Sequence, residues 1–402
     1  MNHLVIRSLA VTPVLAPLSN PVRTASGIIS HAPLALIDLH TEMDGQPGPT
    51  GHTYLFTYTP LALKPTVELL RNLDALLRGQ PCAPATLAQM LQARFRLLGY
   101  TGVVGMALAG IDMAAWDACA RAANLPLVRL LGAEPRALPA YFSQGLDGLE
   151  RGVELAGEAL ARGFAAMKIK LGYPTLAEDL TVTHAVLDAL GGKAQLMVDF
   201  NQSLTRTEAM KRCHALDDLG LGWFEEPVAQ DDYAGHAQLA RDLVTPIQMG
   251  ENWYGLAEMA LCVATGGSDL AMPDAMKIGG VTAWQRAAGL AAAHNLPMSS
   301  HIFQEVSAHL LCATPTAHWL EYLDFAAPVL AEPLQVVDGK VTPSGAPGTG
   351  VEWDVDRVEK LRLLGPALDG ALDAPWAPGN AGFSSLEQRL RRVRMKLALT
   401  CG

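Results

Sequence analysis

Short apolar runs, each closed by an ionisable residue, recur between Lys168 and Glu321. Lys168 and Lys170 follow Phe164-Ala-Ala-Met167, Asp199 follows Gln195-Leu-Met-Val198, and Glu225 follows Leu221-Gly-Trp-Phe224. Glu251, Asp274, His301 and Glu321 close four further runs, and subtracting positions from Lys168 onward gives intervals of 31, 26, 26, 23, 27 and 20 residues. One strand, a loop, a helix and a return loop consume about that much chain, and helical spacing fills Leu176 to Leu190 and Trp284 to Asn295. The pattern predicts repeated βα units with a parallel sheet. Closed into a barrel, such strands open their C-terminal ends on one face, where the seven positions would converge.

Upstream the period changes. Leu4 to Val11, Leu34 to Thr41 and His52 to Tyr58 read as strands, with a hairpin turn over Asp44 to Pro49. From Leu61 to Ala123 the spacing is helical, with Leu70, Leu73, Leu76 and Leu77 on one face and an apolar helix from Val104 to Ala122. Residues 1–130 are therefore expected to form a separate α+β domain, and Pro126 to Pro139 to be the hinge into a barrel over 131–330. Residues 331–402 begin with a strand-like Leu334 to Val341 and a plain loop at Gly345 to Gly350. They are expected to return to the first domain and to end in a tail of unknown order, in which Leu386, Leu390, Val393 and Leu397 lie on one helical stripe with five cations around it.

The net charge of −10 argues against a nucleic-acid partner, which needs a basic face. The six cysteines are scattered without a Cys-x-x-Cys pair, so neither a disulfide framework nor a zinc site is expected. Arg7, Pro13 and Pro17 interrupt the N-terminus, and no run of about 18 uncharged apolar residues occurs. The expectation is a cytoplasmic protein with no membrane span.

A charge after a strand is ordinarily a helix cap or a solvated loop residue. That reading fails for acids inside runs such as Leu196-Met-Val-Asp-Phe200, because burying an unpaired carboxylate costs several kcal/mol. Asp199, Glu225 and Glu251, from three successive strand ends, are an all-oxygen set for a hard divalent cation, Mg²⁺ first and Mn²⁺ second. Lys168 and Lys170, two apart on a strand, face the same way, and their repulsion is expected to lower the pKa of one and free an amine base. Asp274 is placed to orient His301 as a second base. Glu321, beside Trp319, Leu320 and Leu323, is expected to stay protonated and to donate a hydrogen bond to an ene-diolate. A metal flanked by two bases is what proton abstraction next to a carboxylate requires.

With these residues in place, the chain resembles the mandelate racemase subgroup of the enolase superfamily. The motifs that carry the resemblance are Lys168-Ile-Lys170, Val198-Asp-Phe-Asn-Gln-Ser203, Glu225-Glu-Pro227, Met249-Gly-Glu-Asn252, Met272 to Gly280, Ser299 to Glu305 and His318-Trp-Leu-Glu321. Gly99 to Gly102 and Ala109 to Trp116 extend it into the first domain. The resemblance implies an α/β fold, a modified (β/α)7β TIM-type barrel behind an N-terminal α+β capping domain, and a homo-oligomer, an octamer. It makes Lys170 the base for the S enantiomer of a small 2-hydroxy acid and His301, backed by Asp274, the base for the R enantiomer. Lys168 would meet the substrate carboxylate, Ser143, Asn201 and Lys277 would line the site, and Val22, Thr24, Ile29, Tyr54, Phe56, Tyr58 and Leu323 would wall it. Such a wall suits a phenyl ring, as in mandelate. An acid-sugar dehydratase on the same fold remains the alternative, and a non-catalytic protein on that fold would have lost part of the set.

Overall fold

Pro13 and Pro17 lie inside a strand. In the computed structural model, which describes residues 4–24, 27–365 and 368, β1 (Leu4–Thr24) pairs antiparallel with β2 (Gly27–Met43) from Leu4↔Met43 to Thr24↔Gly27. The expected strands were half this length because proline cannot donate to a ladder. β1 is an edge strand, so those missing N–H groups cost little. After the turn at Asp44 and Gly45 come β3 (Gln46–Pro47) and β4 (Gly51–Phe56), both paired with β2. The strand ends before Tyr58, which takes a left-handed φ of +59°, and Thr59 caps α1 (Pro60–Leu77).

Helices α2 (Pro84–Arg94) and α3 (Gly102–Ala122) complete the cap. By length and composition α3 is apolar enough to cross a membrane, but most of it is buried against β4 and the barrel helices. A side chain at Gly51 would meet the backbone oxygen of Ala114 at 1.9 Å, so this glycine is what lets β4 lie directly on α3. A short α4 (Leu127–Leu130) leads to the second domain.

There β5 (Leu138–Ser143), β6 (Ala166–Lys170), β7 (Gln195–Asp199), β8 (Phe224–Glu225), β9 (Ile247–Met249) and β10 (Leu270–Ala271) pair in parallel, in sequence order. Parallel bridges Ala271↔Met298 and Met298↔Ala317 carry the sheet on, and β11 (Leu320–Tyr322) pairs back to β5. The ring is closed. Outside it stand α5 (Gly148–Ala161), α6 (Leu176–Leu190), α7 (Arg206–Leu216), α8 (Tyr233–Asp242), α9 (Leu256–Thr265), a one-turn α10 (Ala275–Ile278) with α11 (Gly280–Ala293), and α12 (Gln304–Cys312). After β11 comes only a single 3-10 turn at Ala327–Val329 in place of an eighth barrel helix, which makes this the expected (β/α)7β barrel.

Helix α6 spans the range its spacing predicted, because a capping box of Thr175 and Glu178 starts it and left-handed Gly191 stops it. Tyr141, Ala166, Met197, Trp223, Leu270 and Met272 fill the barrel interior. A hairpin of β12 (Val336–Val337) and β13 (Lys340–Val341) extends β5 antiparallel, and Leu363 N–H then bonds to Pro13 O on the cap. The helical stripe expected over Leu386 to Leu397 lies outside the described residues.

Candidate active site

Asp199, Glu225 and Glu251 end β7, β8 and the turn after β9, and all are buried. Each offers a carboxylate oxygen, and those atoms lie within 4.8 Å of one another. Neighbours fix their orientation: Asn201 donates from its backbone N and its Nδ2 to Asp199 at 2.7 and 2.8 Å, Trp223 Nε1 to Glu225 at 3.0 Å, and Asn252 Nδ2 to Glu251 at 3.0 Å. Three buried anions at this spacing require positive charge between or beside them. A hard, oxygen-preferring cation fits the donor set, and two ammonium groups adjoin it.

Lys168 Nζ lies 2.8 and 3.1 Å from the two oxygens of Glu225 and 2.9 Å from Glu321 Oε1, with the Tyr141 ring 5.5 Å away. Lys170 is bonded to Asp199. On the far side His301 Nδ1 lies 2.7 Å from Asp274 Oδ2, and its Nε2 faces Glu251 Oε2 at 3.2 Å. The other Asp274 oxygen accepts from the N–H groups of Met276 and Lys277 and so caps α10. The carboxylate triad is thus bracketed, with Lys170 against its first member and His301 against its last.

Two electrostatic expectations change. Burial pushes Lys170 down and Lys168 pushes in the same direction, but Asp199, Glu251 and Glu225 together outweigh both and leave Lys170 above the ordinary lysine value. Glu321 is not a protonated donor. Burial pushes it up, but Lys168, His301, Ser143 and the backbone N–H of Ile302 bring it down to about 2, so it is a carboxylate. His301 is raised: burial works against the imidazolium, and Glu251, Glu321 and Asp274 prevail.

Ser143, at the end of β5, bonds to Glu321. Asn201 has a left-handed φ of +44° and keeps one buried oxygen, Oδ1, without a partner. Lys277 donates to Asn252 Oδ1 at 2.6 Å and lies 4.2 Å from the centre of the Tyr58 ring. Val22 and Leu323 line a cleft of about 100 Å³ with Ser143 and Gln144. Ile29 pairs with Val22 in the β1–β2 hairpin, and Thr24 pairs with Gly27 at its tip. Phe56 is buried between Tyr58 and Phe325, with centroids 4.7 and 4.5 Å away, outside the cleft lining. Tyr54 stacks on Phe303 and donates to Glu305 Oε2 at 2.6 Å.

Several participants had no role assigned from sequence. Glu226 is buried, held by Asn252 Nδ2 at 2.6 Å, and its second oxygen has no partner. Glu305, near the start of the apolar α12, is also buried with one oxygen unpartnered. Their signal was a carboxylate inside an apolar run, the same one that marked Asp199.

Residues 152–358 match the family model described as enolase C-terminal domain-like, and residues 6–132 match the mandelate racemase/muconate lactonizing enzyme N-terminal domain. The chain belongs to the mandelate racemase/muconate lactonizing enzyme family. Among solved structures of this enolase superfamily it is similar to an enolase from Bradyrhizobium complexed with magnesium and mandelic acid, at 45% identity and a TM-score of 0.86, over 90% of this chain and 100% of that one. Among characterised relatives, L-talarate/galactarate dehydratase of Salmonella typhimurium is 36% identical over 63% of this chain and 64% of that protein. The 3,6-anhydro-alpha-L-galactonate cycloisomerase of Streptomyces coelicolor is 33% identical over 80% and 90%. Mg²⁺ is bound in the Bradyrhizobium enzyme and in the Salmonella dehydratase with L-lyxarohydroxamate, the latter at a TM-score of 0.83. This family member is accordingly an Mg²⁺-dependent enolase-superfamily enzyme, with the buried triad Asp199, Glu225 and Glu251.

Proposed function

We propose that the enzyme racemises an aromatic, mandelate-like 2-hydroxy acid by moving its α-proton between Lys170 and His301. The observation that carries this is the bracketing of the carboxylate triad by two different bases, one bonded to Asp199 and the other facing Glu251. Asp199, Glu225 and Glu251 would hold Mg²⁺, which neutralises the negative charge that builds on a substrate carboxylate as its α-proton leaves.

The chain's own groups do the rest. Lys168 offers a fixed ammonium beside that carboxylate, Asn201 a buried oxygen for an α-hydroxyl, and Ser143 a hydroxyl beside Glu321. Lys170 takes or returns the proton on one face. His301 does so on the other, with Asp274 setting its tautomer and supporting the imidazolium. The mandelic acid in the Bradyrhizobium relative supports a phenyl-bearing substrate, and Val22, Leu323 and Phe325 give apolar patches to a cleft that Ser143, Gln144, Arg162 and Asp324 also line.

A second reading, dehydration of an acid sugar, is favoured by the Salmonella dehydratase among the relatives. It uses the same triad and one base, and the second base returns a proton to the departing hydroxyl. The Mg²⁺-loaded protein should be assayed with mandelate, substituted mandelates and a panel of sugar acids, by polarimetry and by keto-acid release. Loss of optical rotation from mandelate is the expected result. Keto-acid from galactarate or gluconate, with mandelate inert, would transfer the assignment to the dehydratase.

A further inference from the structure

Two tyrosines of the cap reach carboxyl groups around the His301 segment: Asp274, which pairs with His301, and Glu305, four residues further along the chain. Tyr58, just past β4, donates to Asp274 Oδ2 at 3.3 Å, the same oxygen that pairs with His301 Nδ1 at 2.7 Å. Tyr54, within β4, donates to Glu305 Oε2 at 2.6 Å, and its ring stacks on Phe303 with centroids 5.0 Å apart.

The segment held in this way is strained. Ile302 and Phe303, which follow His301 directly, have left-handed φ values of +37° and +51°. Each such residue costs on the order of 1–3 kcal/mol and persists only where its surroundings determine it. From the barrel, Glu321 accepts the Ile302 N–H at 2.9 Å and Ser307 Oγ donates to Ile302 O at 2.9 Å. From the cap, Tyr54 grips the turn through Phe303 and Glu305, and Tyr58 grips the carboxylate that aims the imidazole. Lys170 is held differently, by a barrel-internal chain in which Asp199 takes its ammonium and Asn201 fixes Asp199.

We propose that Tyr54 and Tyr58 are positioning residues for the His301 base, so that one face of the active site depends on the docked cap strand and the other does not. The cap then does more than wall the substrate. It completes one of the two proton-transfer groups, and a cap that is displaced or badly seated disables His301 before it disables Lys170. The inference rests on the two-base reading above.

The test uses Tyr54→Phe, Tyr58→Phe and the double variant, full length and loaded with Mg²⁺. These changes keep both rings and remove only the hydroxyls. Solvent deuterium incorporation into each enantiomer of mandelate is followed by proton NMR, and His301→Asn identifies the enantiomer that His301 deprotonates. Exchange of that enantiomer should fall about 10-fold in the double variant relative to exchange of the other, the scale at which an orienting partner acts on the group it holds. An equal fall on both faces, or no fall, overturns the proposal. The ring ¹⁵N signals of His301, identified by their loss in His301→Asn, give a readout that needs no turnover. They should shift or broaden in the double variant, and unchanged signals overturn the proposal. If the wild type exchanges neither enantiomer, the two-base reading fails on that result and the ring signals alone decide the positioning.

Discussion

Lys168 Nζ lies 2.9 Å from Glu321 Oε1, and this contact sets the charge of the acid. Glu321 is 1% exposed, and burial alone would keep it protonated. With the ammonium beside it, its pKa falls to about 2. Replacing Lys168 by Met removes the largest downward influence, so Glu321 should take up a proton at neutral pH. Isotope-edited infrared spectra should then show a protonated carboxyl band that disappears in Lys168→Met/Glu321→Gln. Proton exchange should drop at least about 100-fold on both faces, since Lys168 serves neither base alone.

Magnesium and the lysines would draw on the same carboxylates. Lys168 is bonded to Glu225 and Lys170 to Asp199, so an Mg²⁺ held by the triad would share those two carboxylates with the ammonium groups. EDTA should abolish activity and Mg²⁺ should restore it. Lys170→Met, which removes the positive charge bonded to Asp199, should bind Mg²⁺ about 10-fold tighter by calorimetry while losing turnover. Equal or weaker binding would show that the lysine helps to organise the triad rather than competing for it.

Glu305 makes stability depend on pH. Burial pushes it up, the Tyr54 hydroxyl opposes, and the result is about 7. A group whose folded value lies above its unfolded value adds stability at low pH and loses that contribution as pH rises through the folded value. Wild type should therefore lose ground to Glu305→Gln between pH 5.5 and 8, by about 2 kcal/mol in urea denaturation. A gap that stays constant over this range would mean that Glu305 titrates as it does in the unfolded chain.

How much of this was legible in the sequence depended on the distance over which each cause acts. The strand ends were legible because a charge inside an apolar run is locally improbable, and the regular interval then orders Lys170, Asp199, Glu225, Glu251, Asp274 and His301 around one ring. Helix α6 was legible because both its stop and its start are local. The length of β1 was not, since the cost of Pro13 and Pro17 depends on whether a neighbour strand needs their N–H groups. Nor was the charge of Glu321, because Lys168 approaches it across the barrel from β6, on the other side of β5. The bond from Tyr54 to Glu305 joins residues 251 positions apart, and neither residue's local sequence points to the other.

The two-base arrangement can be tested one face at a time. His301→Asn should abolish racemisation and leave Lys170 able to exchange the α-proton of one enantiomer with solvent deuterium. Lys170→Ala should do the converse for the other enantiomer. The reasoning is geometric. Lys170 stands against Asp199 and His301 against Glu251, at opposite ends of the carboxylate triad, so a substrate anchored there presents a different face to each. A proton lost to one base returns only from that base when its partner is absent, so exchange continues with retention while inversion stops. Loss of the general base itself should cost about 10²–10⁴-fold on its own face, well above any indirect effect on the other. Exchange of both enantiomers in either single variant would mean that one base reaches both faces, and the bracketing of the triad would then have no catalytic meaning.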